Sequence, residues 1–300
     1  MARRSFRKLN GILLLDKALG VSSNKALQDA RFLYQAEKAG HTGSLDPLAS
    51  GMLPICFGEA TKVSGLLLDS SKRYQTTATL GFISTTGDEE GEKLKARAIP
   101  ALSSAFLESV LSRFRGSIQQ IPPMYSALKK DGQPLYKLAR QGLEVERKPR
   151  QVTIYQLQLL GFSENSLQLD VVCSKGTYIR TLVEDIGEAL GCGAYVSRLH
   201  RVSVDPFAEQ TMYSLQSLRE VASQAATDLD HLLLPIDAAL PHLPRLDLSE
   251  EWVARLQQGQ RIKVDLADSE LLRLYSPTQT FIGLGTIQHH LLLAKRLLAY

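Results

Sequence analysis

The chain has 300 residues, 44% hydrophobic and 22% charged, with a formal net charge of +4. Those fractions belong to a globular protein of one large domain, or a large one plus a small one, and the mild basicity permits an acidic partner without specifying it. Three cysteines, Cys56, Cys173 and Cys192, are odd in number and far apart; they form no Cys-x-x-Cys or Cys/His zinc cluster and read as reduced thiols of a cytoplasmic protein.

Arg3, Arg4, Arg7 and Lys8 make a basic start. The apolar run after them, Ile12 to Leu15, is too short for a signal peptide or a membrane span. Gly11 to Leu15 reads as a strand ending at Asp16-Lys17. Ser22 or Ser23 caps a helix running to about Gln35, with Leu27, Ala30 and Tyr34 on one face. Gly40 to Gly51 then holds three glycines, His41, Asp46 and Pro47. Glycine permits unusual backbone angles, and Pro47 pushes Asp46 toward an extended conformation. This is a shaped loop whose only acid is Asp46; it is a chemical group at the lip of a core strand or simply the start of a turn. The strand Met52–Phe57 follows, then a helix from about Glu59 to Leu68.

Lys72 to Leu80 alternates as a half-buried strand, with Tyr74, Thr76, Ala78 and Leu80 on one face. Ser84 to Gly91 is a polar connection. Phe106, Leu107, Val110, Leu111 and Phe114 form the stripe of a helix. From Gln120 to Arg150 the texture changes: Lys129, Lys130, Lys137, Arg140, Arg147, Lys148 and Arg150 stand among four prolines, Tyr125 and Tyr136. Cations with interleaved aromatics suit a nucleic-acid surface, and equally a solvated insertion.

Leu167, Leu169, Val171 and Cys173 line a further strand. A helix carries Ile179, Leu182, Val183, Ile186 and Leu190, and Gly191 suits its C-terminal cap. Arg180 falls in its first turn, where a cation opposes the helix macrodipole. Either a buried carboxylate compensates it or it reaches into solvent. Tyr195 to Val202 is a strand containing Leu199. A helical stretch, Leu215–Leu234, leads to a proline-rich join between Leu234-Pro235 and Leu243-Pro244, the best candidate domain boundary. Beyond it Ser249 caps a short helix, and short strands follow. A module of that size leans on its neighbour.

Gly40 to Lys62, read as GHTGSLDPLASGMLPICFGEATK, resembles the aspartate motif of the TruB-type tRNA pseudouridine-55 synthases. The resemblance recurs, in order, at Gly11–Lys17, at Lys72-Arg73-Tyr74, at Met124–Lys129 and at Cys173–Arg180. The family usually has proline after Asp-Lys, where this chain has Ala18, and often threonine where it has Ser84.

The resemblance implies an α+β fold: a pseudouridine-synthase-like catalytic domain over 1–240, with a large mixed, mainly antiparallel sheet, flanking helices and a central cleft. A tRNA-contacting insertion at about 120–150 and a small β-rich, PUA-like RNA-binding domain over 245–300 complete it. The implied reaction turns a uridine in the tRNA T loop into pseudouridine. Asp46 is the expected essential carboxylate, by covalent attack or by proton abstraction from the sugar, held ionised in a water-shielded site by Arg180. Tyr74 is expected to pack on the uracil and serve as acid or base. Tyr178 and Leu199 are the expected remaining walls. Lys17 supports the aspartate loop at the edge of the site, His41 holds the T loop open, and Lys129, Lys130 and Arg140 grip the T arm. No metal or organic cofactor is expected, since the isomerisation is redox-neutral and no phosphate-loop or dinucleotide fingerprint is present. The expected partner is tRNA, with no membrane, no obligatory protein partner and a monomeric state.

Overall fold

The computed structural model describes residues 6–126, 128–224 and 226–299. Arg3, Arg4 and Ala127 lie outside the described residues, and the stretch 215–234 is described except at 225. The strands are β1 (Gly11–Lys17), β2 (Ala39–His41), β3 (Ala49–Phe57), β4 (Lys72–Leu80), β5 (Ile83–Ser84), β6 (Lys93–Leu94), β7 (Gly116–Gln120), β8 (Lys129–Lys130), β9 (Gln133–Pro134), β10 (Arg150–Phe162), β11 (Ser166–Cys173), β12 (Ala194–Val204) and β13 (Tyr213–Ser214), followed by β14 (Arg245–Asp247), β15 (Ile262–Lys263), β16 (Ser269–Tyr275), β17 (Phe281–Gln288) and β18 (Leu291–Leu297). The helices are α1 (Ser23–Leu33), α2 (Ser64–Leu68), α3 (Ser104–Leu111), α4 (Leu135–Ala139), α5 (Ile179–Leu190), α6 (Leu215–Gln224) and α7 (Glu250–Gln257).

The large sheet runs β13-β1-β3-β12-β4-β11-β10-β7, with β2 also on β3. Its β1–β13 and β3–β12 pairings are parallel and the rest antiparallel, so it is mixed and mainly antiparallel. β4 is central because alternate side chains serve two faces: Tyr74, Thr76, Ala78 and Leu80 are turned into the core, while Arg73 and Gln75 are exposed. The core on that side joins Tyr74, Ala78 and Leu199 to Leu182, Val183 and Ile186 of α5 and to Leu107 and Leu111 of α3. β1 instead is buried on both faces. Leu13 and Leu15 meet α1 and α6, while Ile12 and Leu14 meet a second cluster. This accounts for its unbroken apolar run.

That second cluster includes Ile236, Ala239 and Leu240 from the proline-rich join, together with Tyr275, Phe281 and Leu284. The join is therefore packed core, and the five-stranded sheet β14-β16-β17-β18-β15 leans on the large one through it. The small sheet is PUA-like in form. Its last strand is also pinned at the surface: Lys62 Nζ donates to Leu297 O (3.0 Å) and the Ala299 N–H to a Glu59 carboxylate oxygen (2.6 Å).

Several boundaries differ from the sequence expectation, each for a local reason. α1 is capped by the Ser22 hydroxyl, which accepts from the Lys25 N–H (3.2 Å), but it stops at Leu33 because Gln35 adopts φ +51°. β3 starts at Ala49 instead of Met52. The helix expected after Phe57 divides into a 3₁₀ turn over Gly58–Lys62 and the short α2. α6 ends at Gln224, and a 3₁₀ segment follows over Ala226–Leu232. β10, thirteen residues long, is absent from the sequence reading. Register shifts at Ile154/Gln156 and Leu159/Gly161 break the alternation that would have marked it.

Candidate active site

The loop joining β2 to β3 is tied down on both flanks. Ser23 Oγ donates to Leu45 O (2.8 Å) and accepts from the Leu45 N–H (2.7 Å). The Gly20 N–H donates to Pro47 O (2.7 Å), and the Ala49 N–H to Asp46 O (3.0 Å). Leu45 and Leu48 are buried. Asp46 therefore projects from a backbone fixed on either side.

Arg180 enters from the first turn of α5. No side chain caps that helix, but Gln120 of β7 grips the peptide of Tyr178, donating to its carbonyl (3.3 Å) and accepting from its N–H (3.1 Å). Arg180 Nη2 lies 2.9 Å from Asp46 Oδ2 and donates to Tyr125 O (2.7 Å). Its Nη1 donates to Thr86 O (2.8 Å) and lies 3.3 Å from Asp88 Oδ2. A buried cation facing a helix N-terminus is unfavourable twice over; two carboxylates and two carbonyls offset that.

The two acids differ in kind. Asp88 is 4% exposed and also accepts from the Thr86 hydroxyl and the Glu90 N–H (3.2 Å), so its oxygens are occupied. The Asp46 side chain is 43% exposed and faces a cavity of about 250 Å³. Burial by the surrounding protein pushes the Asp46 carboxyl above its ordinary value; Arg180 opposes, Asp88 adds to the rise, and Lys17 opposes. The carboxylate is thus open to the cavity. One turn along α5, Glu184 packs on Gly87, where a Cβ would lie 2.7 Å from its Oε1; burial pushes its carboxyl up to about 7, with Arg180 opposing.

Tyr74, Tyr178 and Leu199 line the same cavity as Asp46 and Arg180, together with Tyr125 and Ile179. Burial raises the phenols of Tyr74 and Tyr178 above the usual tyrosine value. Lys17 is not in the wall. Its buried amine donates to Ala18 O (3.0 Å) and Val21 O (2.6 Å), and burial brings it down to about 8. That position supports the chain beside the aspartate loop and gives no contact with anything in the cavity. His41 and Arg140 line an adjoining cavity of about 440 Å³ that also reaches Asp46 and Arg180. Burial and Arg201 hold the His41 imidazole below its ordinary value. Lys129 and Lys130 are exposed and line a separate cavity of about 290 Å³ with Arg147, Lys148 and Arg150.

Three residues of this architecture escaped the sequence reading: Asp88, Gln120 and Arg201. Asp88 sits in an acidic turn that reads as solvated, and its signal was the hydroxyls of Ser84 and Thr86 beside it. Gln120 ends a strand at the edge of the basic segment. Arg201 lies in an alternating strand, where a charge reads as surface.

All three cysteines are free and buried. Among the described residues, no three or more His, Cys, Asp or Glu side chains are grouped to hold a metal, and no helix is long and apolar enough to cross a membrane.

The fold has solved relatives. The structure titled "Crystal Structure of a Cbf5-Nop10-Gar1 Complex" superposes with a TM-score of 0.72 at 26% identity, covering 93% of this chain and 78% of that one. "Structure of H/ACA RNP bound to a substrate RNA containing 2'-deoxyuridine" gives 0.74 at 22% identity, covering 97% and 85%, and speaks to the fold alone. The large mixed sheet with its helices and the PUA-like half-barrel are the fold of a pseudouridine synthase.

The sequence narrows this. The profile "TruB family pseudouridylate synthase (N terminal domain)" matches residues 31–179, "tRNA pseudouridylate synthase B C-terminal domain" matches 180–241 and "Pseudouridine synthase II TruB, C-terminal" matches 244–298. The tRNA pseudouridine synthase B of Marinomonas sp. (strain MWYL1) is 50% identical over 291 residues, covering 96% of this chain and 94% of that protein. That of Pseudomonas aeruginosa (strain UCBPP-PA14) is 52% identical over 287 residues, covering 95% and 94%. The chain belongs to the TruB family of pseudouridylate synthases.

Proposed function

We propose that this protein isomerises uridine 55 in the T loop of tRNA to pseudouridine, with Asp46 as the essential carboxylate. The observation that carries the reading is the single cavity in which Asp46, Arg180, Tyr74, Tyr178 and Leu199 meet from four distant parts of the chain. At about 250 Å³ it is smaller than the usual site for a drug-sized ligand and of the scale of one base. A uridine turned out of the T loop enters it, at an unstacking cost of a few kcal/mol that phosphate and shape contacts repay.

The uracil lies against Tyr74, with Leu199 and Tyr178 as further walls. Its arrival displaces water from Asp46, and the Arg180 guanidinium keeps the carboxylate ionised in the drier site. Asp46 then either attacks covalently, its new bond breaking again before the product leaves, or takes a proton from the sugar and returns it as C5 bonds to the ribose. The glycosidic bond to N1 breaks, the ring turns, and C5 bonds to the ribose. The C5 proton leaves and N1 gains one, with the Tyr74 phenol as the nearby acid or base. No redox step occurs, and no cofactor enters. His41 and Arg140, at the mouth of the adjoining cavity, meet the opened loop. Lys129 and Lys130 meet T-arm phosphates, and the C-terminal module touches the acceptor side. The site of action is the cytoplasm.

A second reading merits a test because a solved relative of this fold is titled as a complex with Nop10 and Gar1: action inside a guide-RNA particle. Purified protein is incubated with a T-arm stem-loop alone, and pseudouridine is mapped by chemical marking and sequencing. Full modification without additives is expected. No modification, with activity restored by guide RNA and partner proteins, would establish the second reading instead.

A further inference from the structure

Arg201 of β12 is 1% exposed and has no carboxylate within ion-pairing distance among the described residues. Its Nε donates to Met52 O (2.7 Å), while Nη1 and Nη2 reach Ser44 O (3.5 Å) and Gly43 O (3.4 Å), the main chain leading into Asp46. The seat has no slack: Gly51, at φ +101°, approaches so closely that a Cβ there would lie 2.2 Å from Arg201 O. Arg201 disfavours the protonated forms of Lys17 from β1, Lys72 from β4 and His41 from β2, so basic groups lie on three strands around it. A buried cation among cations and carbonyls is an expensive arrangement that core packing does not require.

Cross-strand register supplies what it is used for. Arg201 lies opposite Tyr74, so both side chains project to the cavity face of the sheet. The groups facing the Tyr74 phenol are Arg201 from β12, Cys173 from β11 and Asp46 from its loop; of these, Arg201 favours the ionised phenol, while Cys173 and Asp46 disfavour it. We propose that Arg201 is a positioning residue for the isomerisation: from beneath the aspartate loop it fixes the Gly43–Ser44 main chain that aims Asp46, and it holds a positive charge on the Tyr74 phenol. This rests on the isomerase reading above.

The test compares Arg201→Met and Arg201→Lys with the intact enzyme in three measurements: single-turnover isomerisation of tRNA, tRNA affinity, and the ultraviolet titration of Tyr74, isolated by subtracting Tyr74→Phe. Arg201→Met is expected to slow isomerisation about 100-fold, the scale of a slightly misplaced group, with affinity within about threefold and the phenol titrating at higher pH. Arg201→Lys keeps the charge without the fork, so the phenol returns toward its original titration while the rate recovers only in part. Rate and affinity falling together, or an unmoved Tyr74 titration, would overturn the proposal. Should Arg201→Met not fold, Arg201→Lys decides alone: a wild-type rate refutes, and a reduced rate at unchanged affinity supports. Should the intact protein form no pseudouridine, the isomerase reading fails by itself, and the phenol titration still tests the charge on Tyr74.

Discussion

The cations packed around the aspartate loop and those of the 120–150 segment are built on opposite terms. Arg180, Arg201 and Lys17 are each at most 5% exposed and are wired to carbonyls or carboxylates, many of them far away in sequence. Lys129 and Lys130 are exposed on a two-residue strand, and the Arg140 guanidinium sits 5.8 Å from the Tyr136 ring centroid at the edge of an open cavity. Desolvated cations already satisfied by the protein act on the chemistry through fixed geometry and field. Solvated ones exchange counterions for phosphates and act on binding. Charge alone does not separate the two groups; exposure does.

Asp46→Asn, nearly isosteric, should lower turnover about 10⁴-fold, the upper end of acid–base effects, while a filter-binding assay finds tRNA affinity retained; product at the wild-type rate would remove Asp46 from the chemistry. Arg180→Met should lower turnover about 10³-fold, as for the removal of a charge-stabilising donor, with affinity little changed. It also strands Asp88, so denaturant melts should show a loss of about 3 kcal/mol. Adding Asp88→Asn should recover part of that; no recovery would mean the pair is not coupled. On the exposed side, reversing Lys129, Lys130 and Arg140 to Glu should weaken tRNA binding about 10- to 100-fold and flatten its salt slope by roughly one for each phosphate left without its cation. An unchanged slope takes the segment out of the interface.

Glu184 titrates at about 7 in the folded chain against an ordinary 4.5. Its raised value favours the fold fully below pH 4.5, and that contribution is lost as pH climbs through about 7. Glu184→Gln should therefore flatten the fall in stability over that window; parallel curves for the two proteins would deny the shift. At the surface clamp of the small sheet, Glu59→Gln should cost less than about 1 kcal/mol and leave turnover intact.

What could be read in advance followed the same division. β1, β4 and α5 announce themselves by unbroken or periodic apolar runs, and Asp46 by a glycine-rich loop. Arg180 was legible as a cation misplaced at a helix start. Arg201 is not, because nothing local separates a charge in a strand from a solvated one, and Asp88 offers only the neighbouring hydroxyls of Ser84 and Thr86; the long-range closure of the fold buries both. β10 was hidden by its bulges. The prolines at 235–244 suggest a domain boundary, while the buried Ile236 and Leu240 show their partners only in three dimensions.

The Asp46 carboxylate is held between burial, which raises its proton affinity, and Arg180, which lowers it. Carbon-13 labelling of the aspartate carboxyls, with Asp46 assigned by loss of its signal in Asp46→Asn, measures this directly across pH. The midpoint should lie above the ordinary 3.8 and move higher still in Arg180→Met. A midpoint at the ordinary value, unmoved by that substitution, would contradict the account.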